Sequence, residues 1–310
     1  MKNVIVTGAA SMMGLALIEE CLKREIEVTA VIRRDSPRND RLPESSLLSR
    51  VYCSLDDMES LPEKVSGGYD AFYHFAWGNT GANRNASTEL QSRNIGFTLE
   101  ALKAAAAMGC RRFIGAGSQA EYGPRPEEKI GPETRTEPVT PYGVSKLAAG
   151  RLCMLLADEL GIECIWPRIF SVYGLYEKET TMVQSSLRKM LRGEPTEFTP
   201  ARQQWDYLYS RDAGKAYYLI GEKGKDRAVY CVGSGSARPL YDYIEVMARA
   251  AGTEPEGIGA RPYPPGAVMN LQADISSLKA DTGFEPEFTF EEGIRETIEW
   301  IRKQKRADRI

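Results

Sequence analysis

The sequence predicts an α/β protein: a doubly wound parallel sheet with a smaller C-terminal α/β lobe. Three observations predict it. Short apolar runs alternate with segments of helical periodicity through the first half of the chain. Glycines stand at the joints between them, as at Gly8 and Gly109. After about Phe170 the rhythm changes, and turns, aromatics and prolines become denser. The expected division is 1–170 for the sheet and 171–310 for the lobe, with some C-terminal strands and helices returning to the sheet.

The elements follow in order. "KNVIVTG" is an apolar strand that ends in glycine, and "MMGLALIEECLKR" after it repeats at helical spacing. "IEVTAVIR" reads as the second strand. The polar, proline-containing "RDSPRNDRLPESSLLSR" reads as a loop, "RVYCSL" as a short third strand and "YDAFYHFAW" as a fourth. "TELQSRNIGFTLEALKAAAAMG" is a long helix with a glycine stop at Gly109, and "CRRFIGAGS" is the fifth strand. A helix opening near Pro141 runs to about Leu160, and "GIECIWPRIF" is the sixth strand. Beyond it, short strands ("DYLY", "AVYCV") mix with helices ("RDAGKAYYLIG", "PLYDYIEVMARAAG", "TFEEGIRETIEWIRKQ").

Bulk properties narrow the function classes. The 310 residues carry a net charge of −3 with acids and bases interspersed, so nothing electrostatic argues for nucleic acid or a membrane surface. No apolar run is long enough to span a bilayer, and strand-like sequence from Lys2 leaves no room for a signal peptide. The six scattered cysteines, without a CxxC, read as reduced core residues of a cytoplasmic protein. His74 is the single histidine, which argues against a zinc site and leaves a Ser–His or Cys–His hydrolase only that residue to build on.

Two stretches carry chemistry. "VTGAASMMG" frames a strand–turn–helix unit with Gly8 and Gly14, and Ser11 fills the usual middle glycine position. Such a turn lets the backbone approach a pyrophosphate seated on the helix N-terminus, at Ser11, Met12 and Met13. The second strand ends "AVIRRD": Arg33 stands where an NAD site usually has a carboxylate, followed by Arg34 and Asp35. Guanidinium suits a 2′-phosphate, so NADP(H) is favoured, with NAD(H) the alternative if Asp35 holds the ribose. In "VTPYGVSKLAAGRL", Tyr142 and Lys146 sit four residues apart at a helix start, on one face. A lysine ammonium beside a phenol favours the phenolate and eases proton transfer near neutral pH.

Together these residues resemble the extended short-chain dehydrogenase/reductases, the NAD-dependent epimerase/dehydratase type acting on nucleotide-diphosphate sugars. The ordered motifs are Thr7–Gly14, "HFAW" (His74–Trp77), "NIGFTLEA" from Asn94, "GSQAEYG" with Ser118, the Tyr142/Lys146 pair, "RIFSVYGL", "WDYLYSRDAG" and "DISSLKADTGFEP". The resemblance spans essentially the whole chain and implies a Rossmann-type sheet. It implies that Tyr142 exchanges a proton with a substrate oxygen, that Ser118 orients that oxygen, and that Lys146 holds the nicotinamide ribose and depresses the tyrosine pKa. It places Phe75, Ala76, Trp77 and Ile169 along the cofactor, with Ser54 and Leu55 at the adenine edge. Gln119, Ser171 and Arg261 fall at substrate positions, although Trp77 equally fits plain core and Arg261 an ordinary exposed arginine.

Departures matter too. Ser171 replaces an asparagine that often contacts the sugar, Trp205 an arginine that commonly meets the diphosphate, and Ser54 the aspartate usual after the third strand. A 4,6-dehydratase carries Asp-Glu after the serine position, where this chain has Gln119 and Ala120. The expectation is therefore an NAD(P)H-dependent 4-keto-6-deoxysugar reductase, with a 4-epimerase holding NAD tightly as the alternative and a non-catalytic NADP sensor as the reading from another class. The family also implies a homodimer through the helices that carry Tyr142 and residues 89–108.

Overall fold

The computed structural model describes residues 1–81, 84–125, 129–264 and 266–307, with side chains to residue 304. Six strands form the central sheet: β1 (Asn3–Thr7), β2 (Glu27–Ile32), β3 (Leu48–Tyr52), β4 (Ala71–His74), β5 (Arg112–Ile114) and β6 (Glu163–Ile165). All pair in parallel, in the order β3-β2-β1-β4-β5-β6. The order reverses between β1 and β4, and ligands of such sheets bind in the crevice outside the strand C-termini at that switch.

Alternation along β1 separates the two faces of the sheet. Val4 and Val6 join one core cluster with Leu17 of helix α1 (Met12–Lys23). Ile5 joins the other, with Ala101 and Ala105 of α2 (Thr88–Ala107) and Ala149 and Cys153 of α3 (Pro141–Leu160). The caps follow from sequence. Ser11 Oγ accepts the Gly14 N–H at 3.1 Å to start α1, Ser87 caps α2, and Thr140 Oγ1 accepts the Gly143 N–H at 3.1 Å to start α3 behind Pro141. Gly161, at φ +67°, ends α3.

The fifth and sixth strands each break in two. Pro167 has no N–H to continue a ladder, so the expected "GIECIWPRIF" strand becomes β6 and a separate pair, Arg168–Ile169. That pair lies between Gly117–Ser118 and Cys231–Val232, both parallel to it. The stretch read as a loop up to Arg50 already holds strand from Leu48.

Elements beyond residue 170 pack in two directions. The Ser210–Lys223 helix and the Ser276–Thr282 helix contribute Tyr217, Ile220 and Leu278 to the core around α1. Helices Met182–Met190, Leu240–Ala251 and Phe290–Ala307 surround their own cluster, where Tyr173, Tyr243 and Phe290 meet ring to ring. All six cysteines are buried and unpaired. Among the described residues no helix is long and apolar enough to cross a membrane.

Candidate functional site

The turn after β1 requires its glycines. Gly8 holds φ +64°, and a Cβ there would lie 2.7 Å from the Ala76 nitrogen. A Cβ on Gly14 would lie 2.5 Å from the Gly8 carbonyl oxygen. The glycines therefore let the turn pack backbone to backbone against the end of β4 and against itself, which seats the Met12 and Met13 end of α1. Ser11, where a glycine was expected, serves as the helix cap. The turn is anchored by Thr7 Oγ1, 2.8 Å from His74 Nδ1. Burial pushes the imidazole down to about 3, so His74 stays neutral and joins the ends of β1 and β4. Next to it, Phe75 packs against Tyr217 with ring centroids 4.8 Å apart.

At the end of β2 a cleft of about 450 Å³ is lined by Arg33, Arg34, Asp35, Tyr52, Ser54 and Lys64 among others. The Arg34 guanidinium lies 4.4 Å from the Tyr52 ring centre, and both arginines are exposed. Leu55, next to Ser54, turns its side chain against the core on the α2 side.

Tyr142 lies in the first turn of α3 and Lys146 one turn on. Lys146 is 4% exposed; its Nζ donates to the Ala116 carbonyl at 2.7 Å and lies 3.5 Å from the Trp77 ring centre. Burial lowers its pKa to about 7, with Glu121 the opposing charge. The Tyr142 phenol is pushed up by burial; the Arg84 charge and then the neighbouring Ser118 hydroxyl pull it back. The net shift is upward, where a depression by Lys146 was expected. The ammonium lies closer to Trp77 than to the phenol, 3.5 against 5.9 Å from the ring centres, and Arg84 lies 4.7 Å from the phenol ring centre. Trp77 meets Tyr142 edge-on at 6.1 Å, and its Nε1 donates to Gln91 on α2 at 2.9 Å.

Ser118 ends its short strand opposite Ile169, with Gln119 in the 3-10 turn that follows. The turn is closed by a capping box: Ser118 Oγ accepts the Ala120 N–H at 3.2 Å, and Glu121 Oε1 accepts the Ser118 N–H at 2.8 Å. Glu121 is completely buried, and its Oε2 accepts from Arg168 Nε at 2.7 Å. Trp166 Nε1 donates to Oε1 at 3.1 Å. A buried ion pair thus backs Ser118.

Two further sequence candidates are held by other residues. Ser171 is half-buried and pairs with Tyr207. Arg261 is exposed and held by Glu197 at 2.8 and 2.5 Å, in contact with neither Ser118 nor Tyr142. Two features escaped the sequence reading. Arg84 sits in an irregular loop without periodicity, and the Glu121–Arg168 pair joins residues 47 positions apart.

The NAD dependent epimerase/dehydratase family model matches residues 4–233. The dTDP-glucose 4,6-dehydratase of Streptomyces niveus is 24% identical, over 98% of this chain and 94% of that protein. Among solved structures, the UDP-glucose 4-epimerase of Thermotoga maritima with UDP-glucose superposes with TM-score 0.86 at 23% identity, covering 98% of this chain and 99% of that one. MoeE5 in complex with UDP-glucuronic acid and NAD gives TM-score 0.85 at 26% identity, covering 97% and 99%.

Proposed function

The chain belongs to the NAD dependent epimerase/dehydratase family, and from that membership we propose that it reduces a nucleotide-diphosphate 4-keto-6-deoxysugar with NADP(H). The observation that carries the reading is the nearness of the Ser118 hydroxyl to the Tyr142 phenol, with Lys146 under the adjoining Trp77. The glycine turn leading into the Ser11–Met13 start of α1 suits a dinucleotide's pyrophosphate. The nicotinamide, when bound, supplies the hydride. Tyr142 gives its proton to the substrate oxygen, Ser118 orients that oxygen, and Lys146 holds the nicotinamide ribose. Gln119 and Ala120 offer no acid or base for eliminating water. Glu121 offers none either, because Arg168 and the Ser118 N–H occupy its carboxylate.

Support for the phosphorylated cofactor is the arginine-lined cleft after β2. The purified protein is expected to carry no nicotinamide and to bind NADPH more tightly than NADH. Replacing Arg33 and Arg34 by Gln should weaken NADPH by about 1.5–3 kcal/mol per lost charge-assisted contact and leave NADH unchanged, as read by fluorescence titration. Stoichiometric NAD released on denaturation would instead favour a 4-epimerase with a recycled cofactor. The likeness to the Thermotoga maritima 4-epimerase favours that second reading.

A homodimer is part of the same proposal. Val144, Leu152 and Leu155 leave an apolar stripe on α3, exposed at 50%, 42% and 59%.

A further inference from the structure

Two loops meet at Thr80, and each brings a cation. Arg84, from the loop before α2, stacks its guanidinium over the phenol ring. Lys178, from the loop after Ser171–Tyr173, donates to the Thr80 carbonyl and, at 2.8 Å, to Thr80 Oγ1. Thr80 and Arg84 both lie between β4 and α2, so Lys178 ties the two segments together within reach of the Arg84 charge. Lys178 is held below its usual pKa by burial first and then by the charges of Arg38 and Arg84, which places a third cation nearby.

None of the three has a carboxylate partner among the described residues. The nearest acids in sequence are committed elsewhere. Glu177 turns inward, accepts from the Gly174 N–H, and is pushed up to about 7 by burial. Glu179 pairs with Arg188 at 3.1 Å. Meanwhile the donors are not exhausted. An ammonium has three protons, of which Thr80 takes two, and a guanidinium stacked on a ring keeps its in-plane N–H groups free. Uncompensated cations with free donors beside a buried phenol make a site for an anionic oxygen group.

We propose that Arg84 and Lys178 form an anion grip that receives an acidic oxygen group of the substrate next to the Tyr142 phenol. Two sources share that chemistry: the diphosphate of the nucleotide sugar, or a carboxylate on the sugar ring. The grip offers a charge that the chain lacks at Trp205, where its resemblance leads one to look for an arginine. This inference rests on the nucleotide-sugar reading only for the identity of the ligand; the grip itself rests on the two loops.

Calorimetric titration at low ionic strength tests it, with inorganic pyrophosphate, D-glucuronate and glucose as probes. The proteins compared are the full chain and its Arg84→Gln, Lys178→Gln and doubly substituted forms. At least one anion should bind the unaltered protein and lose roughly ten-fold in affinity in the double variant, while glucose distinguishes none of them. Loss confined to pyrophosphate identifies the diphosphate, and loss confined to glucuronate identifies a sugar carboxylate. Equal anion affinity in all forms, or no anion binding by the unaltered protein, overturns the grip. Failure of the hydride-transfer reading shows separately, as absence of turnover in a protein that still binds the anion.

Discussion

Tyr142→Phe should abolish nearly all turnover while leaving cofactor affinity within about two-fold, since the group contributed by a positioned acid or base is commonly worth roughly 10²–10⁴ in rate. The substitution is a narrow one. It keeps the ring that Trp77 meets edge-on and that Arg84 covers, and removes only the hydroxyl near Ser118. Burial raises the pKa of that hydroxyl, so the phenol enters the reaction protonated, as a donor to a carbonyl oxygen must. Single-turnover kinetics separates the chemical step from binding. A variant that keeps its rate would remove Tyr142 from the chemistry; a protein with no turnover in either form, but an intact cellular role, would be a sensor.

The second large effect is on stability. Glu121→Ala leaves the Arg168 guanidinium, 3% exposed, without its carboxylate and frees the Ser118 N–H and Trp166 Nε1 as well. Breaking one half of a buried pair costs about 3–5 kcal/mol. The unfolding midpoint in denaturant should fall accordingly, and the melting temperature by roughly 10 °C. Adding Arg168→Met to the first change should recover part of the loss, because the stranded charge is then gone. If the double variant is no more stable than Glu121→Ala alone, the cost lies in lost packing or capping rather than in the charge.

Much of the fold was legible because its signals are local. Gly8, Ser11 and Gly14 sit within one turn, and Pro141 and Gly161 bracket α3. The split of "GIECIWPRIF" was visible in principle at Pro167. The Met182–Met190 helix was too, since Val183, Leu187 and Met190 repeat at helical spacing. The site was legible as a set of residues but not as an arrangement. Tyr142 and Lys146 share a helix, yet the ammonium is aimed by the Ala116 carbonyl and the Trp77 ring, which come from two other strand ends. Spacing on one helix therefore suggested a closer contact than the 5.9 Å from ammonium to phenol ring centre that burial and hydrogen bonding leave. Arg84 and the Glu121–Arg168 pair depend on tertiary meeting alone, and no periodicity announces them.

The central claim, reduction at a sugar carbon, is tested most directly by following a label from the cofactor. The protein would be supplied with 4-deuterated NADPH and nucleotide-diphosphate 4-keto-6-deoxysugars, and the product examined by mass spectrometry and NMR. The account predicts one deuterium at C4 of the sugar for each NADPH oxidised. Interconversion of C4 epimers with no net oxidation of NADPH and no deuterium in the product would contradict it.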